Sequence, residues 1–226
     1  MTKEDFLKLL PGLVSGYRAA PDVLDRIAKV NLVMIIGPSG VGKTTLIQGS
    51  GLPFVPSDTT REPRPGEQEG VDFYFRKDYG QLVKDIKTGR FVQIVVGVAG
   101  DLYSTKDTSY PASGVAVMPV LAEVVPIFRS LGFASTTSAF ITPPSYEEWM
   151  SRMKSHNLDP SQLDKRLKEA RRSLEFVVAD NQVHFILNDD LDAAVTQLDQ
   201  LLLGKVDRDR ESSARQIAMS LLDKLS

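Results

Sequence analysis

The segment Gly37-Pro38-Ser39-Gly40-Val41-Gly42-Lys43-Thr44-Thr45 directly follows an apolar run, Leu32 to Ile36, and this pairing constrains the fold more than any other feature. It fits G-x-x-x-x-G-K-[ST], the phosphate-binding loop. A buried strand, a glycine-rich turn and a helix start aim several backbone N–H groups and a helix N-terminus at one point. Gly37, Gly40 and Gly42 supply the backbone freedom that close approach to a polyphosphate demands. Lys43 is placed to neutralise β- and γ-phosphates, and the Thr44 hydroxyl to ligate Mg²⁺. The whole segment therefore predicts a seat for a nucleoside triphosphate, with ATP and Mg²⁺ as the expected cofactors.

The rest of the chain narrows the setting. Its 226 residues suit one α/β domain with insertions, or a domain with a small appendage. A formal net charge of −2 gives no global field favouring nucleic acid or an anionic membrane. Absence of cysteine excludes disulfides, Fe–S clusters and thiolate zinc sites. His156 and His184 are not in ligand spacing with each other, so both read as non-metal. The stretch Met1 to Phe6 has early acids and no apolar core, which reads against a secretory signal. Pro119, Glu123 and Pro126 break the longest apolar region, Val115–Phe128. The expectation is a cytoplasmic protein whose partners are small molecules, with monomer and homodimer both open.

Strands alternating with helices predict a parallel sheet flanked by helices. Helical spacing from Phe6 to Tyr17 is interrupted by Pro11-Gly12, and Pro21 starts a second short helix through Lys29. Ser57–Asp72 reads as an exposed functional loop, Val71–Arg76 and Phe91–Val98 as strands, and Tyr79–Thr88 as the helix between them. Further strands are expected at Val115–Met118, Phe133–Ile141 and Val183–Leu187. Helices are expected around Val120–Leu131, Glu147–Lys154, Pro160 to Ala179 and Leu191–Leu203. Asp207–Ser213 reads as a polar linker before an amphipathic stripe running from Ala214 to Leu225.

A second segment carries chemistry. Arg61 and Arg64 lie three residues apart on a proline-stiffened loop, where both can face one phosphate as rigid multi-donor forks. Together, Ser57-x-Thr-Thr-Arg61-x-Pro-Arg64-x-Gly-Glu67 and the phosphate loop resemble guanylate kinase. The resemblance runs from about Val30 to Leu203 and is collinear through four more segments: Gly70 to Phe75, Leu102 to Thr105, Ile141 to Glu148, and Leu187 to Leu191.

What the resemblance implies is a P-loop NTPase fold with an inserted monophosphate-binding lobe at 57–110 and a short lid at 150–165. The family-like domain would span 30–205, with a helical extension at 1–29 and a helical tail at 206–226. Lys43, Thr44 and the loop amides would serve ATP, and Asn188 would lie near the adenine. Arg61, Arg64 and Tyr103 would clamp the acceptor phosphate, while Arg152 and Arg166 would reach the transferring group from the lid side. The implied reaction moves the γ-phosphoryl group of ATP to GMP or dGMP. A kinase for another phosphorylated acceptor, or a silent nucleotide-binding or interaction module, is the alternative.

The departures from the family concern the acceptor. Phe73 stands where the family has a tyrosine, and Gln93 aligns with a family glutamate that reads guanine. The family's acidic strand end falls at Met118–Leu121, which has no acid; Glu123 is the nearest carboxylate. Ser57 and Thr105 remain at positions that bond the base in the family. His156-Asn157-Leu158 replaces a Gly-Arg-Gly in the lid.

Overall fold

The computed structural model describes residues 1–64, 66–97, 100–154 and 159–226. The chain divides into two compact units, one of Met1–Leu32, Pro53–Ala116 and Pro126–Ser135, the other of Val33–Leu52, Val117–Val125 and Thr136–Ser226.

A four-stranded sheet is formed by β1 (Val30–Ile36), β6 (Gly114–Pro119), β7 (Ser135–Thr142) and β8 (Val183–Leu187), in the order β6-β1-β7-β8. β7 and β8 pair in parallel, from Ser138 opposite Val183 to Thr142 opposite Leu187. Val33 to Ile36 are all buried, as a strand covered on both faces requires. Helices α3 (Lys43–Ser50) and α8 (Leu191–Leu202) pack on each other, and α9 (Arg208–Lys224) lies on β8 and on α7 (Pro160–Ala179). Both the parallel sheet and its helical cover agree with the expected α/β class.

The tail is helical from Arg208, so the expected linker at Asp207–Ser213 is corrected. Asp207 is its N-cap, accepting from Arg210 N at 3.0 Å, and Asp209 and Glu211 favour the first turn electrostatically. Polarity there marks a helix start. Buried Ala214, Ala218 and Leu221 then anchor the helix.

The second sheet has the order β3-β2-β5-β4, with β2 Ser57–Thr59, β3 Phe73–Phe75, β4 Phe91–Val96 and β5 Leu102–Lys106. β2 pairs parallel to β3 and antiparallel to β5, and β4 pairs antiparallel to β5 with an irregularity between Phe91 and Gln93. β2 corrects the reading of Ser57–Asp72 as loop throughout; Ser-Asp-Thr carries no apolar alternation, and its neighbours hold it extended. The expected strand at Val71–Arg76 contracts to Phe73–Phe75. Val98, the expected end of β4, lies outside the described residues.

Helix α1 (Lys3–Val14) runs through Pro11, correcting the expected break. Its Phe6 and Leu10 are buried with Leu82, Ile86, Phe91, Ile94 and Leu102 against α4 (Tyr79–Lys87) and the second sheet. Burial of two such side chains, about 1.5–3 kcal/mol each, offsets the cost of about 3 kcal/mol for an interior proline. Lys3 Nζ stands 2.9 Å from Asp101 Oδ1, and the same oxygen accepts from Thr60 Oγ1 at 3.3 Å, immediately before Arg61.

Candidate active site

In the second unit, Gly42 is the N-cap of α3 at φ +92°, and Leu46 N returns to Gly42 O at 2.9 Å. The N–H groups of the first helical turn therefore have no partner within the helix, which is a ready-made anion seat. A Cβ on Gly42 would lie 2.5 Å from Asn188 Nδ2, so glycine is required by space as well as by φ. That nitrogen donates to Val41 O at 2.6 Å. Asn188 thus braces the phosphate loop from below.

Lys43 Nζ donates to Gly37 O at 2.7 Å and Pro38 O at 2.8 Å, curling back over the loop. Burial pushes its ammonium down to about 8, the Arg166 charge pushes the same way, and Glu169 opposes both. Ser39 is held twice: its carbonyl accepts from Trp149 Nε1 at 2.8 Å and its hydroxyl from Arg166 Nη1 at 2.6 Å. Gly40 sits against Met153, and Pro38 and Val41 are buried. Thr44 and Thr45 are exposed, and the Thr44 hydroxyl makes no hydrogen bond to the described residues. As a hard oxygen donor beside the phosphate seat, it fits Mg²⁺, which is held mainly by phosphates and water.

Arg166, on α7, therefore reaches the phosphate loop. Arg152, near the end of α6 (Tyr146–Lys154), meets Glu148 Oε1 at 3.1 Å and lies 3.5 Å from Asn188 O. His156-Asn157-Leu158, the altered lid segment, lies outside the described residues. Met118 is buried in β6, while Glu123 is exposed in a short turn at Ala122–Val124. His184 Nδ1 pairs with Glu211 Oε1 at 2.8 Å.

In the first unit, strand register sorts the residues expected to meet the acceptor. Gln93 lies opposite Thr105, Thr59 opposite Tyr103, Ser57 beside Phe73 and Thr59 beside Phe75. Residues directly opposite in a ladder share a face, and so do residues two apart along a strand. Ser57, Phe73, Gln93, Tyr103 and Thr105 therefore occupy one face, and Asp58, Ser104 and Ile94 the other. On that other face, burial pushes the Asp58 carboxyl up against the pull of its ion-pair partner Arg76.

Arg61 joins the first face. Its guanidinium carbon lies 4.6 Å from the Phe73 ring centroid and 5.6 Å from that of Phe75. Glu67 grips it with two 2.6 Å hydrogen bonds, on Nη1 and Nη2, and also accepts from Arg64 N at 2.7 Å. Burial disfavours the Arg61 charge, but Glu67 and Tyr103 more than offset this and hold its pKa above the ordinary value. Phe73 thus supplies a ring beneath the guanidinium where a tyrosine would also offer a hydroxyl. The Arg64 side chain is exposed. Thr105 Oγ1 and Tyr110 OH are 2.9 Å apart, both buried. Burial pushes the Tyr110 hydroxyl up, so it stays protonated.

Sequence reasoning assigns no role to Glu67, Tyr110 or Trp149. Glu67 could have been found as the acid that closes the two-arginine motif. Trp149, the lone tryptophan, carries an indole N–H that must find an acceptor when buried. Nothing local marks Tyr110.

The guanylate kinase family model matches residues 29–204. The chain belongs to the guanylate kinase family. It is a nucleoside monophosphate kinase by that membership. Guanylate kinase of Synechococcus sp. is 32% identical over 189 residues, covering 76% of this chain and 81% of the relative. Guanylate kinase of Mycobacterium leprae is 30% identical over 213 residues, covering 84% and 96%. The crystal structure of guanylate kinase from Anaplasma phagocytophilum aligns with a TM-score of 0.55 at 22% identity over 84% of this chain and 94% of that one, a likeness of fold. Helix α1 precedes the family match and α9 follows it.

Proposed function

We propose that the chain transfers the γ-phosphoryl group of ATP to the phosphate of GMP or dGMP, giving GDP or dGDP and ADP. The observation that carries this reading is the single sheet face that bears Arg61 over the rings of β3 and, across the sheet, Gln93 and Thr105 on β4 and β5. A guanidinium for phosphate and amide and hydroxyl groups for a base, on one surface, are what a nucleoside monophosphate needs.

The loop Gly37 to Thr45 holds the ATP phosphates through its N–H groups and Lys43. Asn188 keeps the loop in shape and lies towards the adenine. Arg61, Arg64 and Tyr103 hold the acceptor phosphate, while Arg152 and Arg166 meet charge that develops on the transferring group. Phosphoryl transfer needs in-line positioning and charge neutralisation rather than a protein nucleophile, and this residue set supplies only those two things. Mg²⁺, taken by the Thr44 hydroxyl together with the phosphates, supplies further neutralisation when bound. No helix among the described residues is long and apolar enough to cross a membrane. A cytoplasmic site of action, where nucleotides are abundant, is part of the proposal.

Coupled ADP release with ATP and Mg²⁺ against a panel of nucleoside monophosphates tests it. Turnover with GMP is expected. If ADP appears at the same rate with and without every monophosphate, the reading is lost.

A further inference from the structure

Gln93 is buried at 6% exposure, and its side chain makes no hydrogen bond to any described residue. A carboxamide with no protein partner keeps both its donor and its acceptor available to a ligand on this face. Its surroundings define what that ligand meets. Opposite it, the Thr105 and Tyr110 hydroxyls bond each other. No strand residue on this face of the second sheet is acidic, because Asp58 projects from the other face. Glu67, the carboxylate that does reach the face, is spent on both terminal nitrogens of Arg61. Among the described residues, the strands of this face therefore offer no free carboxylate, the one group that presents two acceptors side by side.

Guanine presents an O6 acceptor, an N1–H donor and an N2 amino donor in a row. A carboxylate accepts N1–H and N2–H together. A carboxamide has one acceptor and one donor side, and its edge-to-edge match is to O6 and N1–H. Gln93 Nε2–H would meet O6, and Gln93 Oε1 would accept N1–H, leaving the 2-amino group unread. Hypoxanthine carries the same O6/N1–H edge and lacks the 2-amino group.

We propose that this acceptor site reads the O6/N1–H edge through Gln93 and ignores the 2-amino group, so that IMP is phosphorylated alongside GMP. The inference rests on the proposed reaction. The second activity is the same transfer: an oxygen of the IMP phosphate bonds to the γ-phosphorus of ATP. The bond from that phosphorus to the β,γ-bridging oxygen breaks, and ADP leaves with its electron pair, giving IDP.

The test measures kcat/KM for GMP and IMP at saturating ATP and Mg²⁺, together with the Kd of each by titration calorimetry. A site that hydrogen-bonds a substrate group rejects the analogue lacking it by about 10⁴-fold or more. Here the GMP/IMP ratio is expected to stay below about 10, and a larger ratio overturns the proposal. Gln93→Glu restores a second acceptor and should raise that ratio at least about tenfold, in KM rather than kcat. An unchanged ratio would likewise overturn it. If that variant fails to fold, the ratio for the unaltered protein still decides. Should neither nucleotide be turned over, the kinase reading fails, while the ratio of Kd values still judges the 2-amino group.

Discussion

The side-chain amide of Asn188 donates to the carbonyl oxygen of Val41 at 2.6 Å and fills the space a Cβ on Gly42 would need. The shape of the phosphate loop is thus set by a residue far along the chain. Gly42→Ala should strain the left-handed backbone and expel Asn188 together. ATP affinity is expected to fall at least about tenfold, some 1.4 kcal/mol, with the circular dichroism spectrum retained. Calorimetry with a non-hydrolysable ATP analogue measures this, and an unchanged Kd would contradict the bracing role.

Lys43 is held by two loop carbonyls while burial pushes its ammonium down to about 8. The fold keeps this charge at a cost, which suits a group retained for a ligand. Lys43→Ala should lower kcat about 10²–10³-fold, as loss of one preorganised charge does, with the unfolding midpoint little changed. Turnover at the original rate would remove the loop from the mechanism.

Glu67 ties Arg61 to stability. Burial alone would raise its carboxyl, but Arg61 and the Arg64 N–H pull it below the ordinary 4.5. Between the folded and unfolded values the unfolded chain holds the extra proton. The pair's contribution is therefore complete above 4.5 and disappears as pH falls through the folded value. Glu67→Gln should cost about 1–3 kcal/mol near neutral pH. Urea titrations at descending pH should show the two proteins converge in acid. A gap of constant size would break the linkage.

Phe6 is fully buried in the core shared by α1, α4 and the second sheet. Phe6→Ala is expected to destabilise by about 3–5 kcal/mol, measured by urea unfolding. Loss of less than about 1 kcal/mol would show that α1 is dispensable to this core.

Much of the fold was legible because its signals are contiguous. The phosphate loop is one unbroken segment, and β8 and α7 match their expected spans because apolar periodicity and a proline start mark them locally. The misreadings have two causes. At Pro11 and Ser57–Thr59, local propensity points one way and tertiary partners the other, whereas at Asp207–Ser213 the polar residues are themselves the cap and first turn of a helix.

The sequence by itself determined the anion seat at Gly37 to Thr45, the arginine motif and the family, since each depends on residues adjacent in the chain or in collinear segments. Only the tertiary structure decided which groups share the Gln93 face of the second sheet. That face is assembled from strands up to tens of residues apart, and strand pleat and register settle whether Asp58 or Ser57 joins it. The same register leaves Gln93 buried and unbonded opposite the Thr105–Tyr110 pair. A one-residue slip would put every one of these side chains on the other side.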